Sequence, residues 1–322
     1  MNRLQGQLQR IAAFINQADD FLVFSHERPD ADSIGSSLAL AEALRTLGKR
    51  VRVFLSPQHR YQFALGDDPI YGVEDLPTDP GACPVIVLDG EPDRTGEFAD
   101  FTRRAKVVVN IDHHASNRGQ GPYYLIVPEA SACAELVYYL IETLGVPLNP
   151  RMANSLYMAI VGDTGGFRFS NTSARVLEIA SRLVAAGARP EEVATNLFMR
   201  RPLAYFRLLS LALGRMRIDA EGKVVSMVVS QEDLRQTGAG EDDLEGLVDY
   251  PRMVEGVEVA LLFKDLGEGT VTVSFRSTGT VDVSKIAAEF GGGGHVKASG
   301  CTVKGSLEEV CTKVIQRVCQ AI

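Results

Sequence analysis

Histidines and aspartates cluster at four points of the sequence, each directly after an apolar run. The opening stretch, SHERPDADSIGSS from 25 to 37, follows the run FLVF and holds His26, Asp30 and Asp32 within seven positions. The other three stretches are VIVLDG with Asp89, VVVNIDHH with Asp112, His113 and His114, and AIVGDTGG with Asp163. Five carboxylates and three imidazoles are therefore candidates for one shared site.

These residue types predict a metal centre that acts on phosphoesters. Carboxylates held close together repel one another unless cations neutralise them. Hard divalent ions accept mixed histidine and aspartate ligands, and the absence of thiolate from the set favours Mn²⁺ or Mg²⁺ over a structural zinc. Two such ions, about 3.5 to 4 Å apart, would activate a water and stabilise the leaving oxygen of a phosphoester. Taken singly, each aspartate more often caps a helix or shapes a turn, as Asp30 after Pro29 could.

The elements that must position these side chains follow an alternating pattern. FLVFSH, RVRVFL, CPVIVLDG and KVVVNIDHH predict strands, with a helix beginning at Ser33 after the first. The alternation predicts a largely parallel sheet, and ligands of such sheets bind outside the carboxyl ends of the strands. We therefore expect His26, Asp30 and Asp32 in the loop that follows the first strand.

The chain predicts two α/β domains. Residues 1–190 are expected to form a largely parallel sheet flanked by helices, and 191–214 a helical connector. Residues 215–322, with strand patterns in KVVSMVVS, GVEVALLFKD and GTVTVSFRS, predict a smaller α/β domain, with the active-site cleft between the two.

Composition excludes several classes of protein. The net charge of −8 argues against a protein that coats long duplex nucleic acid, because such binding needs many Lys and Arg contacts to phosphate. The amphipathic N-terminus does not resemble a signal peptide, and no stretch has the roughly 18 apolar residues of a membrane span. Five scattered cysteines without a C-x-x-C pair indicate neither a disulfide framework nor a zinc site. We expect a cytoplasmic protein.

A second candidate site lies near the C-terminus. The run GGGGH, from 291 to 295, suits a backbone cradle for an anion, since glycines permit positive φ and close approach of N–H groups. Arg276 adds a planar cation suited to phosphate. A glycine run alone is more often a flexible turn. Phe167 and Phe169, after Asp163, fit core packing and base stacking equally well.

Together these motifs resemble the DHH phosphoesterase superfamily. The matching segments are HERPDADSIG (26–35), the Asp89 strand end, DHH (112–114) and GDTGGFRF (162–169). SFRS (274–277) and the segment 281–300 resemble the DHH-associated C-terminal domain. Within the superfamily the chain is most similar to the nanoRNase type, which implies hydrolysis of oligonucleotides of two to five residues to mononucleotides and dephosphorylation of 3′-phosphoadenosine 5′-phosphate.

The resemblance also implies roles for individual residues. His26 and Asp30 would hold one Mn²⁺, Asp32, His113 and Asp163 a second, and Asp89 would bridge the two, with Mg²⁺ as the other candidate ion. Asp112 would orient an imidazole and His114 would contact the scissile phosphate. The substrate would be bound by a set of second-domain residues and by one after Asp89: Arg276, Ser277, Gly291, Gly292, Gly293, Gly294, His295 and Arg94.

Other functions remain open at this point. A cyclic di-AMP or pApA phosphodiesterase would need the same motifs, because these motifs report the reaction and not the length of the substrate. A single-stranded DNA exonuclease, a pyrophosphatase and a catalytically inactive nucleotide-binding protein are less favoured. The expected partners are short oligonucleotides and small nucleotides, with no membrane and with a homodimer as one option.

Overall fold

The computed structural model describes residues 2–56, 61–119, 121–265, 267 and 269–322. The chain divides into two compact units, residues 1–200 and 201–322, called here the first and second units. The division falls within the predicted connector, 191–214, and the domain bounds that we inferred stay a prediction. Each unit has its own sheet and its own core, so the expected α/β class is confirmed for both.

Six parallel strands form the sheet of the first unit, in the order β3-β2-β1-β4-β5-β6. They are β1 (Asp20–Phe24), β2 (Arg50–Phe54), β3 (Ile70–Tyr71), β4 (Val85–Leu88), β5 (Val108–Asp112) and β6 (Tyr123–Ile126). The central strands are apolar throughout because both faces of the sheet are covered. The pattern did not predict β3 or β6, the two edge strands, which are short and only partly buried.

Helices cover both faces of this sheet. They are α1 (Asn2–Gln17), α2 (Ala31–Thr46), α3 (Gln62–Leu65), α4 (Ala99–Arg104), α5 (Cys133–Thr143), α6 (Pro150–Asp163), α7 (Ala174–Ala185) and α8 (Pro190–Ala194), which continues into a π-helical turn, Thr195–Met199. One face packs the large cluster around Phe21 and Val23, and the other packs Leu22 and Phe24 against Phe98.

Helix α2 is buried almost along its whole length, and it packs closely against α6. A Cβ atom at Gly35 would lie 2.8 Å from the Cβ of Ala159, and one at Gly162 would lie 2.6 Å from the Cβ of Ala31. Both glycines are therefore required for the approach of the two helix backbones. This packing brings the C-terminal end of α6, with Asp163, to the first turn of α2.

The predicted start of α2 was wrong by two residues. The helix begins at Ala31, and the side chain of Asp30 caps it by accepting hydrogen bonds from the amides of Asp32 (2.9 Å) and Ser33 (3.1 Å). Asp32 thus lies in the first helical turn and not in the preceding loop. The physical reason is the cap itself, because an aspartate that bonds the first amides of a helix fixes where the helix starts.

The second unit contains a mixed sheet in the order β11-β12-β10-β9-β8-β7. Its strands are β7 (Arg217–Asp219), β8 (Val224–Ser230), β9 (Val259–Asp265), β10 (Thr270–Ser277), β11 (Gly293–His295) and β12 (Ala298–Lys304). Its helices are α9 (Leu203–Gly214), α10 (Gln231–Thr237), α11 (Asp249–Arg252), α12 (Val283–Glu289) and α13 (Leu307–Cys319). Val271, Val273 and Phe275 of β10 face the core formed with α12 and α13. Among the described residues, no helix has the length and apolar character needed to cross a bilayer.

Candidate metal centre

The sheet order of the first unit creates a crevice beside β1 and β4. From β1 the chain moves outward to β2 and β3, and from β4 it moves in the opposite direction to β5 and β6. The carboxyl ends of two adjacent parallel strands at such a reversal form the ligand crevice of open α/β sheets. The eight predicted side chains gather here, and we call them the acid–histidine cluster: His26, Asp30, Asp32, Asp89, Asp112, His113, His114 and Asp163.

Asp89 lies at the middle of this cluster and is 2% exposed. Its Oδ2 lies 3.6 Å from His26 Nε2, while its Oδ1 lies 3.5 Å from His113 Nε2 and 3.7 Å from His114 Nδ1. Burial acts to raise the pKa of Asp89, but the imidazoles of His113 and His26 outweigh burial and hold that pKa well below its usual range. The two oxygens of one carboxylate therefore face different histidines.

The backbone at Asp89 is strained in a way that serves this placement. Its φ of 55° lies in the left-handed region, which residues other than glycine seldom adopt. Asp89 directly follows β4, and its amide still donates to the carbonyl of Ile111 on β5 (2.9 Å). Strain of this kind persists where the surrounding structure enforces it, and it is concentrated at functional sites.

Two tests of fit support a divalent ion at this point. First, Asp89 Oδ1 is fully buried and, within the described part of the chain, has no hydrogen-bond donor in bonding geometry. Second, the separations of 3.5 to 3.7 Å between ring nitrogens and carboxylate oxygens exceed those of good hydrogen bonds. Two ligands that each lie about 2.1 Å from one ion are about 3.0 to 3.4 Å apart. The spacing is thus close to that of ligands around a shared cation.

Asp32 is held at the N-terminus of α5. Its carboxylate accepts hydrogen bonds from the amides of Cys133 (2.6 Å) and Ala134 (3.0 Å) and from the hydroxyl of Ser36 (3.1 Å). Burial, followed by the negative charges of Asp89 and Asp163, raises the pKa of Asp32 well above its usual range. A cation beside these carboxylates would remove that repulsion.

His113 brings Asp32 and Asp163 together. Its Nε2 lies 3.7 Å from Asp32 Oδ2 and 3.7 Å from Asp163 Oδ2, and its Nδ1 lies 3.3 Å from the carbonyl oxygen of Ala130. A backbone carbonyl at one ring nitrogen is the usual device that turns the other toward a metal. Burial raises the pKa of Asp163 to about 7, against the opposing effect of His113.

Three sets of side chains within the first unit each offer ligand atoms that lie within 4.8 Å of one another. One set is His26, Asp30 and Asp89, and another is Asp32, Asp89 and His113; the third combines Asp89 with Asp112 and His114. Asp89 belongs to all three. This one carboxylate is therefore common to the three candidate metal-binding sets of the first unit.

Asp112 orients His114. Its Oδ1 lies 2.7 Å from His114 Nδ1 and accepts a hydrogen bond from the amide of His113 (2.7 Å). Its Oδ2 accepts a hydrogen bond from Asn117 Nδ2 (2.7 Å). Burial opposes ionisation, but these partners, His114 first, hold the pKa of Asp112 below its usual value. The Asp112 carboxylate thus stays ionised and fixes the ring of His114.

Sequence reasoning missed several residues that support the cluster. Ser33 bonds three of its members, Asn117 bonds Asp112, and Asn171 Nδ2 lies 3.1 Å from the carbonyl oxygen of Asp163. Ser33 and Asn117 lie within four residues of predicted ligands, so position in the sequence was a usable signal for them. Asn171 and the amides of α5 carried no such signal.

The other predicted site residues lie apart from the cluster or at its margin. Arg94 is exposed at the end of a 3₁₀ turn, Pro92–Arg94. Its positive charge acts to lower the pKa of His26. Phe167 packs on Tyr157 (6.2 Å between ring centroids) and on the core of the first unit. These contacts favour the core-packing interpretation of Phe167.

In the second unit, the predicted substrate residues lie on β10 and on or just before β11, two strands that β12 separates. Arg276 of β10 is paired with Ala298 of β12, which is paired with His295 of β11. Paired residues of antiparallel strands share a face of the sheet, so Arg276 and His295 lie on the same face. Ser277 is on the opposite face, and its hydroxyl is buried. Burial lowers the pKa of Arg276, whose Nε lies 3.9 Å from Asp249 Oδ1.

The glycine run differs from the open cradle that the sequence suggested. Gly291 has a φ of 76°, but Gly293–His295 forms the edge strand β11. A Cβ at Gly292 would overlap the carbonyl oxygen of Gly300, and one at Gly294, where φ is 135°, would lie 2.6 Å from that of Ala298. Close contact with β12 therefore requires glycine at 292 and 294, and positive φ favours glycine at 291 and 294.

Comparison with known proteins identifies the family of this chain. Residues 20–160 match the DHH family, N-terminal domain, and residues 221–322 match the DHHA1 domain. The bifunctional oligoribonuclease and PAP phosphatase NrnA of Thermus thermophilus is 36% identical over 92% of this chain and 88% of its own length. The cyclic-di-AMP phosphodiesterase PdeA of Listeria monocytogenes is 23% identical over 92% of this chain and 46% of its own. The crystal structure of an exopolyphosphatase-related protein from Bacteroides fragilis, 25% identical, superposes with a TM-score of 0.90 over 98% of this chain and 96% of that protein. The chain therefore belongs to the DHH family of phosphoesterases, with a DHH domain followed by a DHHA1 domain.

Proposed function

We propose that this protein is a Mn²⁺-dependent phosphoesterase that hydrolyses oligonucleotides of two to five residues to mononucleotides and removes a phosphate from 3′-phosphoadenosine 5′-phosphate. The observation that carries the proposal is the placement of Asp89, whose two carboxylate oxygens face two different histidine groups at the carboxyl edge of the sheet. The 36% sequence identity with the oligoribonuclease and PAP phosphatase NrnA of Thermus thermophilus supports the choice of substrates.

The proposed ligand sets follow the two sides of Asp89. His26 and Asp30 would hold one ion, Asp32, His113 and Asp163 the other, and Asp89 would bind both. Divalent ions held there would supply positive charge beside a phosphate group and activate water at neutral pH. The donors are carboxylate and imidazole, which suit Mn²⁺ and Mg²⁺.

The remaining residues would position the substrate. Asp112 holds the His114 ring by the 2.7 Å contact to Nδ1, so that His114 can meet a non-bridging phosphate oxygen in a fixed orientation. Arg276 and the segment 291–295, with Gly291 and His295 at its ends, would bind another phosphate or base of the substrate through a planar cation and backbone amides. The buried hydroxyl of Ser277 can support this face only through the backbone of β10.

A side-by-side rate comparison tests the proposal. The substrates are 3′-phosphoadenosine 5′-phosphate, pApA, cyclic di-AMP, a trinucleotide RNA and a 24-residue RNA, each assayed with Mn²⁺ and again with EDTA. We expect fast turnover of the trinucleotide and the bisphosphate, sensitivity to EDTA, and little turnover of the long RNA. No Mn²⁺-dependent release of nucleotide from any short substrate would refute the proposal.

The second candidate function is hydrolysis of cyclic di-AMP or of pApA. It is favoured by the similarity to PdeA over 92% of this chain. The same assay decides between the two, because turnover of cyclic di-AMP or pApA well above that of the trinucleotide would retain the metal centre and change the substrate. Gel filtration with light scattering would establish separately whether the chain forms a homodimer.

A further inference from the structure

The hydroxyl of Ser33 lies among three members of the acid–histidine cluster. Its Oγ is 2.7 Å from His26 Nε2, 2.8 Å from Asp89 Oδ2 and 3.3 Å from Asp30 Oδ1. The residue is fully buried in the first turn of α2, where the cap of Asp30 on its amide fixes the backbone. These three neighbours are the side chains of one candidate ion site.

This hydroxyl makes the two oxygens of Asp89 unequal. A carboxylate accepts hydrogen bonds and does not donate them, so the Ser33 hydroxyl donates to Asp89 Oδ2. Oδ1 receives no such bond from the described residues and faces His113 and His114. Rotating the carboxylate plane away from this position would break the Ser33 bond, so Ser33 fixes the orientation of the carboxylate between its two sides.

Two other serines of α2 provide a comparison. Ser36, which is also fully buried, donates to Asp32 Oδ1, a carboxylate of the other ligand set. Ser37 is equally buried, but its hydroxyl donates to the backbone carbonyl of Ser33 (2.7 Å). One short helical segment therefore holds a serine for each ligand set and a third whose hydroxyl donates to a backbone carbonyl.

We propose that Ser33 is a positioning residue that prepares Asp89 to serve two divalent ions, by holding Oδ2 toward His26 and Asp30 and leaving Oδ1 for His113. The role requires no direct contact with substrate. It rests on the metal centre of the proposed function, and it goes beyond that function by assigning part of the ion affinity to a hydroxyl of α2.

Titration calorimetry of the full chain with Mn²⁺, after removal of bound metal, tests this role. We expect Ser33→Ala to weaken Mn²⁺ binding by about tenfold or more, the usual effect of removing a partner that orients a ligand. Ser37→Ala is the matched control, and its affinity should remain within about twofold of the parent protein. Melting curves in EDTA establish that both variants are folded.

Two results would overturn the role of Ser33. One is a Ser33→Ala variant that binds Mn²⁺ as tightly as the parent protein. The other is an equal loss of affinity in Ser37→Ala, which would indicate general loosening of α2. The readout is ion binding and does not depend on the choice of substrate. If the parent protein binds Mn²⁺ but does not hydrolyse the proposed substrates, the proposed function fails while the role of Ser33 can still be tested. Absence of any Mn²⁺ binding by the parent protein would instead refute the metal centre and this proposal together.

Discussion

The acid–histidine cluster and the glycine-rich edge of the second unit are built on different principles. In the cluster, side chains from the ends of β1, β4 and β5 and from α2 and α6 converge, and nearly every one is oriented by a second partner. At the edge of the second unit, β11 is three residues long and consists of two glycines and His295. The first region is fixed by side-chain contacts, and the second by how closely two backbones approach.

This difference indicates which changes each region tolerates. Burial and the charges of neighbouring carboxylates raise the pKa of Asp32 and of Asp163, so a cation bound at the cluster would stabilise the charged carboxylates. The edge strand contains little charge, and its shape depends on the absence of Cβ atoms. Changes of charge should therefore affect the first region most, and changes of volume the second.

Metal removal should have the largest effect and should act on the first region. Chelation with EDTA is expected to abolish hydrolysis, and addition of Mn²⁺ to restore it, because the proposed reaction depends on divalent ions that activate water at the cluster. Mn²⁺ should also raise the melting temperature, since an ion that binds only the folded state stabilises it. Calorimetric melting with and without Mn²⁺ measures this, and full activity in EDTA would contradict the metal centre.

Asp89→Asn should reduce kcat/KM by about a thousandfold, which corresponds to about 4 kcal/mol of transition-state stabilisation. The amide keeps the shape and tolerates the positive φ, but it removes the charge that both ligand sets share. Steady-state kinetics on a trinucleotide measures the loss. Asp100→Asn, at an exposed position of α4, is the control and should be unchanged. Full activity of the Asp89 variant would refute the role of Asp89 as the carboxylate that both ligand sets share.

Gly294→Ala tests the backbone contact of the second region. A Cβ there would meet Ala298 and Ser299 at 2.6 to 2.7 Å, at a φ of 135°. We expect a loss of about 2 kcal/mol in the free energy of unfolding, within the usual range for such strain. Gly293→Ala is the matched control, because a Cβ there has no neighbour within 4 Å. Urea denaturation of both variants decides, and equal stability would refute the close-contact argument.

Arg276→Lys should have the smallest effect. If the guanidinium binds a phosphate of the substrate, lysine keeps the charge but loses the planar pair of donors. We expect KM to rise about tenfold with kcat nearly unchanged, the pattern for a contact that is equal in the ground and transition states. Arg217→Lys, an exposed arginine of the same unit, serves as control. A fall in kcat with unchanged KM would contradict a binding role.

Sequence patterns predicted the elements that carry the first region more completely than those of the second. The runs before His26, Asp89 and Asp112 are β1, β4 and β5, because strands buried on both faces must be apolar throughout. The strand β11 escaped prediction, since glycine has low strand propensity and its pairing with β12 is a tertiary contact. The predicted start of α2 was wrong because either Asp30 or Asp32 could have capped the helix.

The sequence by itself determined the chemistry of this protein: which carboxylates and imidazoles are present, the strands that they follow and the family to which the chain belongs. Tertiary structure alone decided which oxygen of Asp89 faces which histidine, that the amides of α5 hold Asp32, and that Ser33 joins three ligands. Hydrophobic period and motif spacing are local properties of a chain. The orientation of a buried side chain depends on donors that packing brings from distant segments, as the separation of 101 positions between Asp32 and Cys133 illustrates.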